Sequence, residues 1–239
     1  MEICVDSLES ARAAILGGAM RLEVCSALSE GGLTPSPGLV GQIRNFGRVP
    51  IRAMIRVRKG NFVYSREEVE AMLHDIRILK DHHVDGFVFG ALTSDSHVDQ
   101  DVCWQVVSAA RPLPVTFHRA FDETTDPLRS METIIGLGFD RILTSGQKDT
   151  ALEGLEILKH LVERAAGRII IMPGAGIRWE NISRIKQCGA REFHASARKK
   201  VYVGPNAHRF GKDDYIEITD GESVKAMVNI VNDGTPGEG

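Results

Sequence analysis

Eight short stretches rich in β-branched and aromatic residues recur along the chain, at EICV, RLEVC, PIRAMIRV, VDGFVFG, PVTFH, DRILT, RIIIM and REFHAS. Each is followed by a polar loop, and their starts lie roughly 20 to 34 residues apart, the length of one strand, one helix and two short loops. Repeated βα units force parallel strands joined by right-handed crossovers, and a count of eight favours closure. The expected fold is therefore α/β, a single (β/α)8 TIM-type barrel. An open doubly wound sheet is the alternative, but no strand here runs into a GxGxxG fingerprint.

Local punctuation agrees with that frame. Gly18, Gly47, Gly138, Gly167 and Gly189 each stand shortly before a strand, where a left-handed helix C-cap is expected. DSLE, SREE, TALE and TDGE have the form of capping boxes, and TDPL puts Asp126 at a cap with Pro127 in the first turn. One domain, 1–239, is expected: strands over about 2–196, an irregular insertion at 198–218, a last helix over about 221–231 and a flexible tail at 232–239. The 239 residues, 43% hydrophobic, suit one barrel core.

A net charge of -3 with scattered basic residues offers no polyanion-binding face, so nucleic acid and anionic membrane are not expected partners. No apolar run approaches the ~18 residues that span a bilayer. With the first strand starting at residue 2, no leader and a cytoplasmic location are expected. There Cys4, Cys25, Cys103 and Cys188 stay reduced, leaving metal binding or inert burial as their uses.

Strand alternation then decides what faces the barrel axis, since the face toward the helices must be apolar. Ile3, Val5, Leu22, Val24, Ile51, Ala53, Ile55, Val115, Phe117, Phe193 and Ala195 take that outer face. Glu2, Cys4, Asp6, Glu23, Cys25, Arg52, Met54, Arg56, Thr116, His118, Glu192, His194 and Ser196 then point inward. The fourth, sixth and seventh strands leave their parity open. A barrel interior is usually filled with branched apolar side chains, so this density of charge needs partners. Glu2, Glu23 and Glu192, early in their strands, are expected to pair with Arg52.

The inward residues near the strand ends lie toward the face where barrel enzymes build sites. Cys4 and Cys25, on neighbouring strands, are expected to lie roughly 5 Å apart across the ladder. Apposed thiols suit Cu(I), and His194 on the eighth strand is a candidate third ligand. In TFHRAFD, His118 is a candidate general acid or base with Asp122 fixing its tautomer and Arg119 holding an anion; alternatively Arg119 and Asp122 only pair with each other. Small residues in TSGQ and PGAGI let backbone N–H groups approach a phosphate or carboxylate, making Ser145, Gly174 and Gly176 candidates together with Glu23, Arg56 and Ser196. Arg58 and Lys59 follow Arg56 into a loop able to close over such a ligand. Cys103 and Cys188 sit in helical patterns and read as packing.

EICVDS, RLEVCSALSEGGLTPS, MIRVRKGNFVYS, DGFVFGALTSD, PVTFHRAFD, RILTSG, GRIIIMPGAGI and EFHASAR together resemble the CutC family of copper homeostasis proteins, from residue 2 to about 198. That resemblance implies a TIM-type barrel, a cytoplasmic protein, a homodimer or higher homo-oligomer, and Cu(I) bound at a cysteine pair matched by Cys4 and Cys25. Two functions are expected from these observations. One is copper homeostasis through Cu(I) at Cys4, Cys25 and His194. The other is a barrel enzyme acting on a small anionic or phosphorylated substrate, with His118, Arg119 and Asp122 catalytic.

Overall fold

The computed structural model describes residues 1–204 and 215–233. Eight parallel strands form one sheet: β1 (Glu2–Val5), β2 (Arg21–Val24), β3 (Ile51–Met54), β4 (Gly86–Phe89), β5 (Val115–Phe117), β6 (Arg141–Thr144), β7 (Ile170–Pro173) and β8 (His194–Ala195). Their spatial order is β7-β6-β5-β4-β3-β2-β1-β8. The last strand pairs with the first through Glu2↔His194 and Ile3↔Ala195, and so the sheet rolls into a TIM-type barrel. Around it lie α1 (Leu8–Leu16), α2 (Pro37–Arg44), α3 (Arg66–Asp81), α4 (Gln100–Ala110), α5 (Pro127–Gly136), α6 (Leu155–Ala165), α7 (Ile182–Ile185) and α8 (Gly221–Asn232).

Strand alternation sorts the side chains as period two requires. The outward residues read from the sequence, from Ile3 and Val5 round to Phe193 and Ala195, all lie in the principal apolar core between strands and helices. The three ambiguous strands follow suit: Phe87, Phe89, Ile142 and Ile171 join that core. Val88 instead packs with Cys25 and Met54 in a smaller cluster on the inner face. Cys103 and Cys188 are buried in the principal core, so their role is packing.

The five glycines before strands all take positive φ, from 77° at Gly167 to 150° at Gly47. Of the helix starts, Ser65 and Glu68 form the full capping box: Ser65 Oγ accepts from the Glu68 N–H, and the Ser65 N–H donates to the Glu68 carboxylate at 2.8 Å. A Ser65→Ala variant is expected to lose about 1 kcal/mol of stability in urea unfolding. Asp126 caps α5 with Pro127 in the first turn. The other three starts differ from the expectation. α1 is capped by Ser7, because the Asp6 carboxylate turns inward and accepts from the Leu28 N–H at 3.2 Å. α8 is capped by Asp220, one residue after Thr219. Thr150 and Glu153 do exchange bonds, at 3.2 and 3.3 Å, but in the turn ahead of α6.

Residues 198–218 are not wholly irregular. Arg198–Tyr202 (β9) and Tyr215–Thr219 (β10) pair antiparallel, from Arg198↔Thr219 to Tyr202↔Tyr215. The β-prone run YIEIT pairs there with a charged strand, and charge obscured the pattern in sequence. The intervening residues 205–214, and most of the expected tail, 234–239, lie outside the described residues.

Candidate functional site

At the C-terminal ends of the strands opens a chamber of about 820 Å³. Strand parity supplies its walls: Cys4, Glu23, Met54, Arg56, His118, His194 and Ser196 all line it, as does Leu143 from β6. The ends of β1, β2, β3, β5, β6 and β8 converge on this one space. This is why groups as far apart in sequence as Cys4 and His194 meet here.

On one side Cys4, Glu23 and His194 are buried together, with a thiol, a carboxylate oxygen and a ring nitrogen all within 4.8 Å of one another. The register explains the grouping: Cys4 stands opposite Glu23, and His194 is opposite Glu2 on the neighbouring ladder. Glu2 Oε1 lies 2.8 Å from His194 Nδ1, leaving Nε2 facing Glu23 at 4.0 Å. Burial alone would lower the His194 pKa, but the charges of Glu23, Cys4 and Glu2 outweigh it and hold the ring protonated well above the ordinary histidine range. The Glu23 pKa is raised as well, in its case by burial. One of its oxygens, Oε2, has no hydrogen-bond partner.

Cys25 corrects the expected pairing. It lies two residues beyond the Glu23 that faces Cys4, so the thiols are diagonal across the ladder instead of adjacent. Its Sγ–H donates to Glu23 Oε1 at 3.4 Å. Fully enclosed, the thiol has its pKa pushed well up by burial and by the Glu23 charge.

Below this group sits an ionic layer whose partners also differ from the expectation. Arg21 Nε binds Glu2, and Arg21 Nη2 reaches Glu192 at 2.6 Å. Arg141 completes the set at 2.8 Å from Glu192. Arg21 and Arg141, not Arg52, therefore neutralise Glu2 and Glu192, while Glu23 has no arginine partner among the described residues and faces His194. Arg52 donates to the Asp85 carbonyl, where a side chain at Gly86 would collide with its guanidinium and with the Pro114 carbonyl oxygen. Arg21 shares the inward parity of Glu23 and was legible from it; Arg141 sits on a strand of ambiguous parity.

The β5 and β6 loops resolve the alternatives for Asp122. Arg119 Nε donates to Asp122 at 2.8 Å. The same carboxylate accepts from the N–H groups of Ser145 and Gln147 at 3.1 and 3.2 Å and from Ser145 Oγ at 3.0 Å. Asp122 thus fills the nest of donors that the sequence offered to an external anion. The His118 tautomer is fixed elsewhere, by the Ala120 N–H donating to Nδ1 at 3.2 Å. Gly174 uses its N–H on the Thr144 carbonyl at 3.0 Å, and its missing side chain makes room for Leu143 beside His194. Gly176 and Ser196 do line the chamber. Arg58 and Lys59 are occupied by Glu68 and Glu30, leaving Arg56 as the loop's inward cation.

This geometry can be set beside known proteins. The sequence profile of the CutC family matches residues 1–199. The chain belongs to the CutC family. It is 53% identical over 199 residues to the copper homeostasis protein cutC homolog of Homo sapiens, covering 83% of this chain and 73% of that one. The Mus musculus protein of the same name is 53% identical over 243 residues, covering 98% and 89%. The crystal structure of the copper homeostasis protein CutC from Streptococcus agalactiae superposes with a TM-score of 0.78 at 34% identity, covering 82% and 97%. A thiamine phosphate pyrophosphorylase from Pyrococcus furiosus, TM-score 0.60 at 15% identity over 96% and 93% of the chains, shares the barrel alone. No helix among the described residues is long and apolar enough to cross a membrane.

Proposed function

We propose that this CutC-family chain takes part in copper homeostasis by binding Cu(I) in the chamber, through the Cys4 thiolate and His194 Nε2, with Cys25 as a second thiolate. The observation that carries the reading is the Glu2–His194 contact at 2.8 Å. A histidine that ligates a metal is usually held by a carboxylate on its other nitrogen, and here that leaves Nε2 beside Cys4 and Glu23 within one 4.8 Å group. Thiolate and imidazole are soft enough to favour Cu(I). Before metal enters, the proton on His194 balances Glu23, and Cys25 keeps its own. Binding therefore displaces protons, and affinity is expected to rise with pH. Cys25 joins by giving up one weak S–H bond to Glu23.

Anaerobic Cu(I) titration against a chromophoric competitor tests this. The parent is expected to take up one ion, and Cys4→Ser and His194→Gln each to weaken it by at least about tenfold. Equal uptake by the parent and Cys4→Ser would remove the reading.

A second reading, an enzyme acting on a small anionic substrate at the same mouth, is supported by what copper leaves unused. Arg56 and His118 also line the chamber, and neither has a carboxylate partner among the described residues.

A further inference from the structure

Arg56 is 6% exposed. It spends three N–H bonds on carbonyls: Nη1 on Glu30 at 3.0 Å and Gly32 at 3.3 Å, and Nη2 on Gly60 at 2.8 Å. Its Nε–H has no partner. The guanidinium charge is met only by dipoles, with no carboxylate in ion-pair range among the described residues. His118 is similarly placed at 4% exposed. Because its Nδ1 accepts from Ala120, the ring proton sits on Nε2, and that atom too is enclosed and without a partner. The Tyr64 hydroxyl is a third such atom, beside the Arg56 guanidinium.

One side chain packs against both Arg56 and His118, which themselves line the chamber. The Phe62 ring lies 5.0 Å from Arg56 Cζ and 4.8 Å from the His118 ring centroid. It faces the chamber. Its backbone is pinned by the Leu92 N–H donating to the Phe62 carbonyl at 2.9 Å. Buried polar atoms left unpaired cost about 1–3 kcal/mol each, and native proteins keep few of them. Two of them against one ring, at Arg56 and His118, point to a partner that enters when the ring moves.

We propose that Arg56 Nε, His118 Nε2 and Tyr64 Oη form a subsite for a small monocarboxylate, closed here by the Phe62 ring. The inference rests on the anionic-substrate reading and names its ligand class. One guanidinium and two neutral donors balance one negative charge, whereas a phosphate dianion would keep a charge uncompensated. The fork of an arginine suits the planar carboxylate. Leu28, Met54 and Phe62, which also line the chamber, offer apolar contact to the acid's carbon chain. Closure by Phe62 lowers apparent affinity by the fraction of protein that is open.

The test follows the ¹⁵N resonances of Arg56 Nε and His118 Nε2 in the metal-free full chain during titration with sodium acetate and, separately, inorganic phosphate. Acetate is expected to shift both signals saturably in the parent. Phe62→Ala is expected to tighten that binding by about tenfold, and Tyr64→Phe, which removes only a hydroxyl, to weaken it by about fivefold. Phosphate saturating the same signals more tightly than acetate would overturn the monocarboxylate assignment and leave an anionic substrate standing. Silence from both anions in Phe62→Ala would overturn the subsite and the anionic reading together.

Discussion

Replacing Arg21 with leucine is expected to lower the stability of the barrel by about 3–5 kcal/mol in urea unfolding. Arg21 is the only described partner shared by Glu2 and Glu192, at two ends of one fork, and the Glu2 side chain is wholly enclosed. Burial on its own would raise the Glu2 pKa, yet His194 and Arg21 together hold it below the ordinary carboxylate range. Without Arg21 that carboxylate keeps only His194, which also serves Glu23, while Arg141 still satisfies Glu192. Removing one member of a buried pair leaves the other uncompensated in a low-dielectric interior, and this cost exceeds what the pair itself contributed. Salt should change the difference little, because the pair is shielded from mobile ions. Arg21→Lys is expected to recover part of the loss, since it keeps the charge but not the two-point geometry. A loss below about 1 kcal/mol for Arg21→Leu would show that the layer is not a structural element.

Acid is expected to destabilise the protein through His118, and His118→Phe to remove that contribution. Burial, with the nearby Arg56 charge, pulls the His118 pKa from 6.5 down to about 3. In the unfolded chain the ring titrates near its ordinary value, so between these limits the unfolded state binds more protons. Stability then falls as pH falls, by about 1.4 kcal/mol per pH unit, or about 3 kcal/mol between pH 6.5 and pH 4. His194 acts with the opposite sign: its raised pKa contributes stability at low pH that is lost as pH rises through the folded value. Glu2, with a lowered pKa, contributes above the ordinary carboxylate value and loses this on acidification. Both are common to parent and variant, so the difference between the two pH profiles isolates His118. Phenylalanine fits there because Phe62, Phe89 and Phe117 already surround the ring. Parallel profiles for parent and His118→Phe from pH 6.5 to pH 4 would show that His118 is protonated in the fold without cost.

Much of the site was legible because a strand has period two, and a single apolar residue on each strand settles which neighbours face the axis. That rule turned Cys4, Glu23, Cys25, Arg56, His118 and His194 toward the axis, but it set Cys25 at the strand-end face and Glu23 in the layer below, whereas Glu23 lines the chamber with Cys4, Arg56, His118 and His194. It failed where both faces are apolar, as along GFVF and IIMP, since burial on both sides erases the alternation. It was also silent on how far one strand slides past the next. A shift of two residues preserves parity, and that shift separates an adjacent Cys4–Cys25 pair from the observed Cys4–Glu23 register.

Loop chemistry was the least legible part. TSGQ reads as an anion cradle until Asp122 is seen filling it, and Phe62 reads as an ordinary loop aromatic until it is found between Arg56 and His118. Local composition by itself determined the eightfold βα repeat, the barrel and the inward direction of its ionisable groups, because these follow from propensity and alternation within each segment. Only the tertiary structure decided which inward groups meet, which carboxylate each arginine neutralises and which donors go unpartnered. Those outcomes depend on strand register and loop packing, where competing pairings use the same residue types and differ only in distance.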